Sequence, residues 1–192
     1  MNKYLYHMGI SRYFIFIPNL LSIVRIGLVY PILNNISLGN FQLGIMFFII
    51  AAITDAIDGF LARKMNWKTN LGKILDPVAD KLLLSGTIFI LWLNAYIPFY
   101  IFVIFFSRDV LILLGASIHM SVIESEVPLP NILGKITTAF QIVYIFLILI
   151  FQSYSIEISL ILLDILIISV TILSLMVYAN SWFKSLKTYN NE

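Results

Sequence analysis

Four aspartates in an apolar part of the chain have a spacing that could support chemistry. Asp55 and Asp58 are three residues apart, and Asp76 and Asp80 are four apart. On helices, each of these spacings places both side chains on one face. Two such pairs, at the ends of two adjacent antiparallel helices, can converge on one point. Because carboxylates without histidine or cysteine select hard cations, the pattern predicts that these four residues bind Mg²⁺ or Mn²⁺.

The charge of this cluster indicates more than one metal ion. Inserting an ionisable side chain into a membrane as part of a helix costs about 2.5–3.5 kcal/mol. A residue that is present despite this cost is a candidate functional residue. Two nearby bases, Arg63 and Lys81, would neutralise only two of the four carboxylates. Two divalent ions about 3.5–4 Å apart would neutralise the excess, and such a pair is the usual clamp for displacement at phosphorus.

The residues between the aspartates fit a phosphate-bearing ligand. Gly59 and Ala62 keep the aspartate-bearing face free of bulk, and Gly72 leaves room where the next helix begins. Arg63 can bind phosphate through two parallel hydrogen bonds. We therefore predict that these four residues bind a ligand's polar head beside the metal ions.

The elements that position these residues are predicted to be membrane helices. The chain has 192 residues, of which 60% are apolar and 11% charged, and its mean hydropathy is +0.97. Soluble domains carry about 25% charged residues. A helical span needs about 20 apolar residues, and the segments that qualify are 17–36, 40–63, 73–94, 97–119, 132–152 and 156–180. The sequence predicts an all-α integral membrane protein with six transmembrane helices in one domain, 1–192.

The N-terminus and the cysteine count add two further expectations. The aromatic and basic residues before Pro18 suit a short interfacial segment, and an aromatic belt beside the first span is the alternative. Cysteine is absent, which excludes disulfides, thiolate metal sites and nucleophilic thiols.

Basic residues predict the orientation of the chain. The breaks near 35–40, 94–97 and 152–157 contain neither Lys nor Arg. Because cytoplasmic loops collect these residues, we expect both termini and the aspartates to lie at the cytoplasmic face of a bacterial-type inner membrane. We expect no nucleic-acid partner. The twelve basic residues are Lys3, Arg12, Arg25, Arg63, Lys64, Lys68, Lys73, Lys81, Arg108, Lys135, Lys184 and Lys187.

The run from Asp55 to Asp80 reads D-x-x-D-G-x-x-A-R-x8-G-x-x-x-D-x-x-x-D, which resembles the signature of the CDP-alcohol phosphatidyltransferases at every fixed position. The resemblance implies transfer of a phosphatidyl group from CDP-diacylglycerol to an acceptor hydroxyl, with release of CMP, by a homodimer. It also implies that the first three aspartates chiefly bind metal and that Asp80 is in addition the general base. The stretch from Gly59 to Arg63 would then cradle the cytidine diphosphate.

Features outside the signature bear on the acceptor. The first helix opens with Pro18, Asn19, Ser22 and Arg25, which resembles the glycerol-phospholipid branch of the family, where this helix borders the nucleotide site. The stretch 107–115 lacks the second Arg-Glu usual in enzymes that use glycerol 3-phosphate, and it looks more like the cardiolipin synthases of this fold, which use phosphatidylglycerol. We expect one of these two glycerol-based, phosphate-bearing acceptors, and inositol or choline is less favoured.

Two bases are candidates for binding the phosphate of that acceptor. Arg108 in the fourth predicted span and Lys135 at the start of the fifth should face the same cytoplasmic cavity. The alternative is internal pairing, of Arg108 with its neighbour Asp109 or of Lys135 with a glutamate.

Other classes of function fit the sequence less well. An intramembrane prenyltransferase also binds diphosphate through acidic motifs, but its two motifs would lie far apart in a longer bundle. An ion carrier would continue its polar residues across the membrane, whereas the outer halves of these helices are nearly all apolar. Asp164 is the exception, and we interpret it as an interfacial residue near a span end.

Overall fold

Six α-helices make up most of the described chain. The structure, a computed structural model, describes residues 16–65, 72–122, 132–156 and 159–189, with the side chains of residues 62, 63, 73, 74, 116–122 and 183–189 left aside. The predicted all-α class is confirmed, and the predicted interfacial segment before Pro18 lies almost wholly outside the described residues. The helices are α1 (Ile17–Ser37), α2 (Phe41–Lys64), α3 (Gly72–Leu93), α4 (Phe99–Val122), α5 (Ile132–Ser153) and α6 (Ile161–Tyr189).

The last helix differs most from its predicted bounds of 156–180. Ser155 has a positive φ of 53°, and α6 begins only at Ile161. Polar residues around this turn interrupt the apolar run, so the helix starts later. The helix extends to Tyr189 at its C-terminus, beyond the apolar sequence from which its end was predicted.

Four of the described helices are long and apolar enough to cross a membrane, by length and composition: Ile17–Ser37, Phe41–Leu61, Ile132–Ser153 and Ile161–Trp182. The helices α3 and α4 are not among these four, so the count of six spans stays a prediction. Four such helices in a chain of this size indicate a membrane protein.

The surface of the helices is apolar and their buried faces carry polar side chains. Exposed residues include Leu162, with 82% of its surface accessible, and Ile132 with 73%. Buried residues include Arg25, Asp58 and Arg108. Water would disfavour an apolar surface of this kind, whereas polar side chains in membrane helices face the protein interior. This distribution fits lipid as the surrounding solvent.

A tight turn joins α1 to α2, and the two helices pack along each other. Gly39 has a φ of +75°, its N–H donates to the carbonyl of Ile36 at 3.1 Å, and the N–H of Asn40 donates to Asn35 at 2.8 Å. These are the two bonds of a Schellman motif, in which glycine takes the left-handed conformation at lowest cost. The turn brings α2 back antiparallel to α1.

Small residues let the first helices approach closely. A Cβ atom on Gly44 would lie 3.2 Å from the Ile36 side chain, and one on Gly86 would lie 3.3 Å from the Leu33 side chain. The chain divides into two compact units, and the first, up to Leu91, contains α1, α2 and most of α3. Small residues at contacts between membrane helices allow close van der Waals packing, which here positions the polar faces of the first unit.

The second unit, from Trp92 onward, is held by packing of α6 against α4 and α5. A Cβ atom on Gly115 of α4 would lie 3.0 Å from the Tyr178 ring of α6. Asp164 of α6 is buried and accepts hydrogen bonds from Tyr100 at 2.7 Å and Tyr144 at 2.8 Å. Asp164 lies in the first turn of α6, near a span end as predicted, and it is buried between hydroxyl donors from α4 and α5.

Replacing Tyr144 by Phe tests this interaction. The Tyr144 hydroxyl is removed, and a buried carboxylate then loses one donor, which costs about 1–3 kcal/mol. We expect a lower unfolding temperature of the purified protein in detergent. Tyr154→Phe is the matched control, because Tyr154 is 71% exposed and exposed substitutions change stability by less than about 0.5 kcal/mol. Equal unfolding temperatures of the two variants would contradict a stabilising role for the hydrogen bond between Tyr144 and Asp164.

Candidate active site

Arg25 of α1 lies at the centre of the aspartate cluster. Its side chain is 0% exposed, and its Nη1 lies 2.9 Å from Asp55 Oδ1 and donates to Asp80 Oδ1 at 2.6 Å. Its Nη2 donates to Asp58 Oδ2. One guanidinium thus contacts two carboxylates of α2 and one of α3. The first three helices are thereby linked by charge-assisted hydrogen bonds, which are roughly twice as strong as neutral ones.

The fourth aspartate is bound by a different residue of the same helix. The hydroxyl of Ser22 donates to Asp76 Oδ1 at 2.5 Å, and it also lies 3.0 Å from the carbonyl oxygen of Pro18. Ser22 and Arg25 are three residues apart and so lie on one face of α1. This polar face of α1 contacts all four signature aspartates.

The carboxylates differ in their access to a ligand. The Asp58 side chain is 4% exposed, whereas that of Asp55 is 52% exposed and that of Asp80 is 46% exposed. Asp58 therefore lies at the closed side of the cluster, next to Arg25. Asp55 and Asp80 form its open side, where a substrate or an ion can reach their oxygens.

The other predicted ligand-binding residues lie on the same two helices. Gly59 follows Asp58 on α2, and Gly72 is buried at the first residue of α3. Ala62 and Arg63 belong to the last turns of α2, but their side chains lie outside the described ones. Their predicted contacts with the donor stay predictions.

The chemistry of the cluster fits a divalent metal ion. Four carboxylates and one guanidinium sum to a formal charge of −3, and an all-oxygen ligand set selects hard ions such as Mg²⁺ and Mn²⁺. Among the residues that the structure describes, no three acidic or imidazole side chains are grouped as ready-made metal ligands. Instead, oxygens of Asp55, Asp58 and Asp80 face Arg25. The number of ions, two, and their identity as Mg²⁺ or Mn²⁺ stay predictions.

The two predicted acceptor-binding residues lie in the second unit. Arg108 is buried, and its Nη1 donates to Asp109 Oδ1 at 2.7 Å while its Nη2 donates to the Gly134 carbonyl at 3.0 Å. This is the internal pairing that the sequence left open as an alternative. Lys135, the next residue after Gly134, is exposed. Arg108 thus binds the start of α5 beside an accessible lysine.

Sequence reasoning missed the contact of Arg25 with the aspartates. It considered only Arg63 and Lys81 as neutralising bases, because they are near the aspartates along the chain. A signal was present, since Arg25 lies within an apolar span and shares a helical face with Ser22. An arginine in that position needs anionic partners within the protein.

Comparison with known proteins agrees with the signature. A sequence model of the CDP-alcohol phosphatidyltransferase family matches residues 15–183. A CDP-diacylglycerol--glycerol-3-phosphate 3-phosphatidyltransferase of Aquifex aeolicus is 33% identical over 176 residues, which cover 89% of this chain and 96% of that protein. A protein of the same name from Bacillus subtilis is 36% identical over 149 residues, covering 66% of this chain and 72% of that one.

A relative with a different name is similar over a shorter stretch. A cardiolipin synthase (CMP-forming) of Rattus norvegicus is 40% identical over 121 residues, which cover 62% of this chain and 39% of that protein. The family match includes the whole aspartate cluster and reaches all six helices. The family predicted from the signature is therefore confirmed: the chain belongs to the CDP-alcohol phosphatidyltransferases, transferases of phospholipid biosynthesis.

Proposed function

We propose that the chain transfers a phosphatidyl group from CDP-diacylglycerol to the hydroxyl of a glycerol-based acceptor and releases CMP. The observation that carries this proposal is the gathering of all four signature aspartates on one polar face of α1. Two of them, Asp55 and Asp80, have side chains about half exposed. A cluster that is anionic, open on one side and surrounded by an apolar surface suits a cation-bound diphosphate whose lipid tails stay in the bilayer.

In the proposed reaction the acceptor oxygen forms a bond to the phosphorus that bears the diacylglycerol. The bond from that phosphorus to the CMP oxygen breaks, and CMP leaves with the electron pair. The hydroxyl proton passes to the Asp80 carboxylate. Arg25 contacts Asp80 at Oδ1, so Oδ2 is the oxygen that we assign to the proton. Asp55, Asp58, Asp76 and Asp80 would hold Mg²⁺ or Mn²⁺, which supplies positive charge to the diphosphate.

Donor binding involves the residues between the aspartate pairs. Gly59 and Gly72 present little side-chain bulk at the ends of α2 and α3. We assign to them, with Ala62 and Arg63, the contact with the cytidine diphosphate. Arg63 suits a phosphate because its planar guanidinium can donate two parallel hydrogen bonds.

Glycerol 3-phosphate is the acceptor that we propose first. The relatives from Aquifex aeolicus and Bacillus subtilis are named for this acceptor, and the first of them covers most of this chain. Phosphatidylglycerol is the second candidate, since the cardiolipin synthase of Rattus norvegicus is 40% identical over its matched stretch. Both acceptors carry a phosphate beside a glycerol hydroxyl, so one site of bases could serve either.

Lys135 is the residue that we propose for contact with the acceptor phosphate. It is exposed, and it directly follows Gly134, whose carbonyl oxygen accepts a hydrogen bond from Arg108. Arg108 is bonded to Asp109 as well, so we assign it the role of fixing the start of α5, from which Lys135 extends.

The arrangement in the membrane is also part of the proposal. The twelve basic residues avoid the breaks near 35–40, 94–97 and 152–157, which supports six spans with both termini and the aspartates on the cytoplasmic side. We propose one domain over residues 1–192, a homodimer and a location in a bacterial-type inner membrane.

An acceptor panel tests the proposed reaction. Purified protein in detergent, given CDP-diacylglycerol and Mn²⁺, is expected to release CMP only when glycerol 3-phosphate or phosphatidylglycerol is added. Chromatography of the lipids separates a phosphatidylglycerophosphate product from cardiolipin and so identifies the acceptor. No CMP release with either glycerol 3-phosphate or phosphatidylglycerol would contradict the proposal.

Replacing Asp80 by Asn tests the assigned base. The amide accepts no proton at neutral pH, so we expect kcat to fall at least about 100-fold, the usual contribution of general base catalysis, while CDP-diacylglycerol still binds. The control is Asp164→Asn, the same chemical change at a buried aspartate of the second unit, which should keep most of the activity. An Asp80→Asn protein with normal kcat would remove Asp80 as the base.

Replacing Lys135 by Gln tests the acceptor contact. Losing a charged hydrogen bond to phosphate should raise the KM for glycerol 3-phosphate about tenfold and leave the KM for CDP-diacylglycerol unchanged. Lys187→Gln, in the last turn of α6, serves as the control for loss of one positive charge. If both KM values rise together in Lys135→Gln, the lysine does not distinguish acceptor from donor.

A further inference from the structure

Arg25 is a permanent positive charge inside the cluster that is proposed to bind the metal ions. Its side chain is fully buried, and its two terminal nitrogens contact Asp55, Asp58 and Asp80. Within the described residues its Nε has no hydrogen-bond partner. Leaving this buried donor without a partner costs free energy. The ion pairs with the carboxylates therefore determine the position of the Arg25 side chain, even though one of its donors stays unpaired.

The charge sum shows what this guanidinium changes. With Arg25, the four carboxylates carry a formal charge of −3, and without it they carry −4. If two divalent ions bind, the site becomes +1 with Arg25 and neutral without it. Arg25 therefore repels the cations that bind first, and it leaves the loaded site positive for the anionic diphosphate that binds next.

We propose that Arg25 is a built-in counter-ion that lowers the affinity of the aspartate cluster for divalent cations and raises the affinity of the cation-loaded cluster for the diphosphate donor. This rests on the proposed function, because it takes the aspartates as the cation ligands. Arg25 is a positioning residue in this assignment, and it acts on the donor through the charge of the cluster. Nothing in the reaction requires it to touch the reacting phosphorus.

The geometry explains how one side chain can affect the whole cluster. Nη1 lies between Asp55 of α2 and Asp80 of α3, and Nη2 binds Asp58 of α2. The charge is thus within hydrogen-bond distance of three carboxylates at once. In a buried site it is screened much less by salt than a surface charge would be.

The test measures two equilibria on purified full-length protein in detergent, without turnover. Electron paramagnetic resonance of Mn²⁺ gives the affinity for the cation in the absence of nucleotide. Equilibrium binding of CDP-diacylglycerol at saturating Mn²⁺ gives the affinity for the donor. For Arg25→Gln we expect Mn²⁺ to bind about tenfold tighter and the donor about tenfold weaker, the order expected for one unit charge a few ångströms away.

Opposite changes in the affinities for Mn²⁺ and for the donor distinguish this role of Arg25 from a purely structural one. If Arg25 only held the cluster together, Arg25→Gln would weaken both equilibria, and that result would overturn the proposal, as would no change in either. Arg25→Lys keeps the charge but loses the forked contact, and we expect both affinities within about threefold of the wild type. Arg25→Lys tests the proposal by itself if Arg25→Gln is not monodisperse. A tenfold loss of Mn²⁺ affinity in Arg25→Lys would show that the cluster requires the shape of the guanidinium and not only its charge, and it would overturn the proposal.

The wild-type protein separates failure of this inference from failure of the proposed function. If wild-type protein binds no Mn²⁺ and releases no CMP from CDP-diacylglycerol, the proposed metal site is wrong and the inference fails with it. If it binds Mn²⁺ and transfers the phosphatidyl group while Arg25→Gln shows no opposite shifts, the function stands and only the role of Arg25 is wrong.

Discussion

The ion pairs between Arg25 and three aspartates are the interaction on which the first unit depends. Carboxylates that lie close together repel one another, most strongly where burial excludes water, as at Asp58. Arg25 is fully buried and contacts α2 twice and α3 once. Arg25 and Asp58 are both buried, and removing one partner of such a buried pair typically costs about 3–5 kcal/mol, because the other charge is left unpaired. The position of the aspartates is thus inseparable from the position of α1.

The rest of the fold makes this arrangement possible by separating apolar surface from polar interior. Leu, Ile and Phe side chains cover the outside of the helices, and small residues such as Gly44 and Gly86 let the inner faces approach. In the second unit the same principle applies to Asp164, which is bound by hydroxyls of Tyr100 and Tyr144. Asp58 and Asp164, which are both buried, have donors from a neighbouring helix, as the high cost of an unpaired buried polar group requires.

The helices and the aspartate cluster could be predicted from the sequence because both follow from local rules. Apolar length defines a span to within a few residues, and α2 at Phe41–Lys64 and α3 at Gly72–Leu93 agree closely with the predicted bounds. Spacings of three and four residues place the aspartates on two helical faces. The late start of α6 was missed because the turn at Ser155 depends on backbone conformation, which hydropathy does not report.

Partners that are distant along the chain were harder to predict. Arg25 is separated from Asp80 by 55 residues, and Asp164 from Tyr100 by 64. Hydropathy and spacing describe one helix at a time and do not say which faces of two helices meet. The pairing of Arg108 with Asp109 is the instructive exception, since these residues are adjacent and the pair could be named as an alternative beforehand.

The contact of α1 with α2 also has a consequence for how the protein enters the bilayer. Helix α1 leaves the ribosome before α2, so Arg25 is already present when Asp55 and Asp58 arrive. Each charge alone would cost about 2.5–3.5 kcal/mol to insert. The tight turn at Gly39 lets the two helices form a hairpin in which Arg25 offsets one of the two negative charges. A hairpin of α1 and α2 thus carries less net charge into the bilayer than the two helices would carry separately.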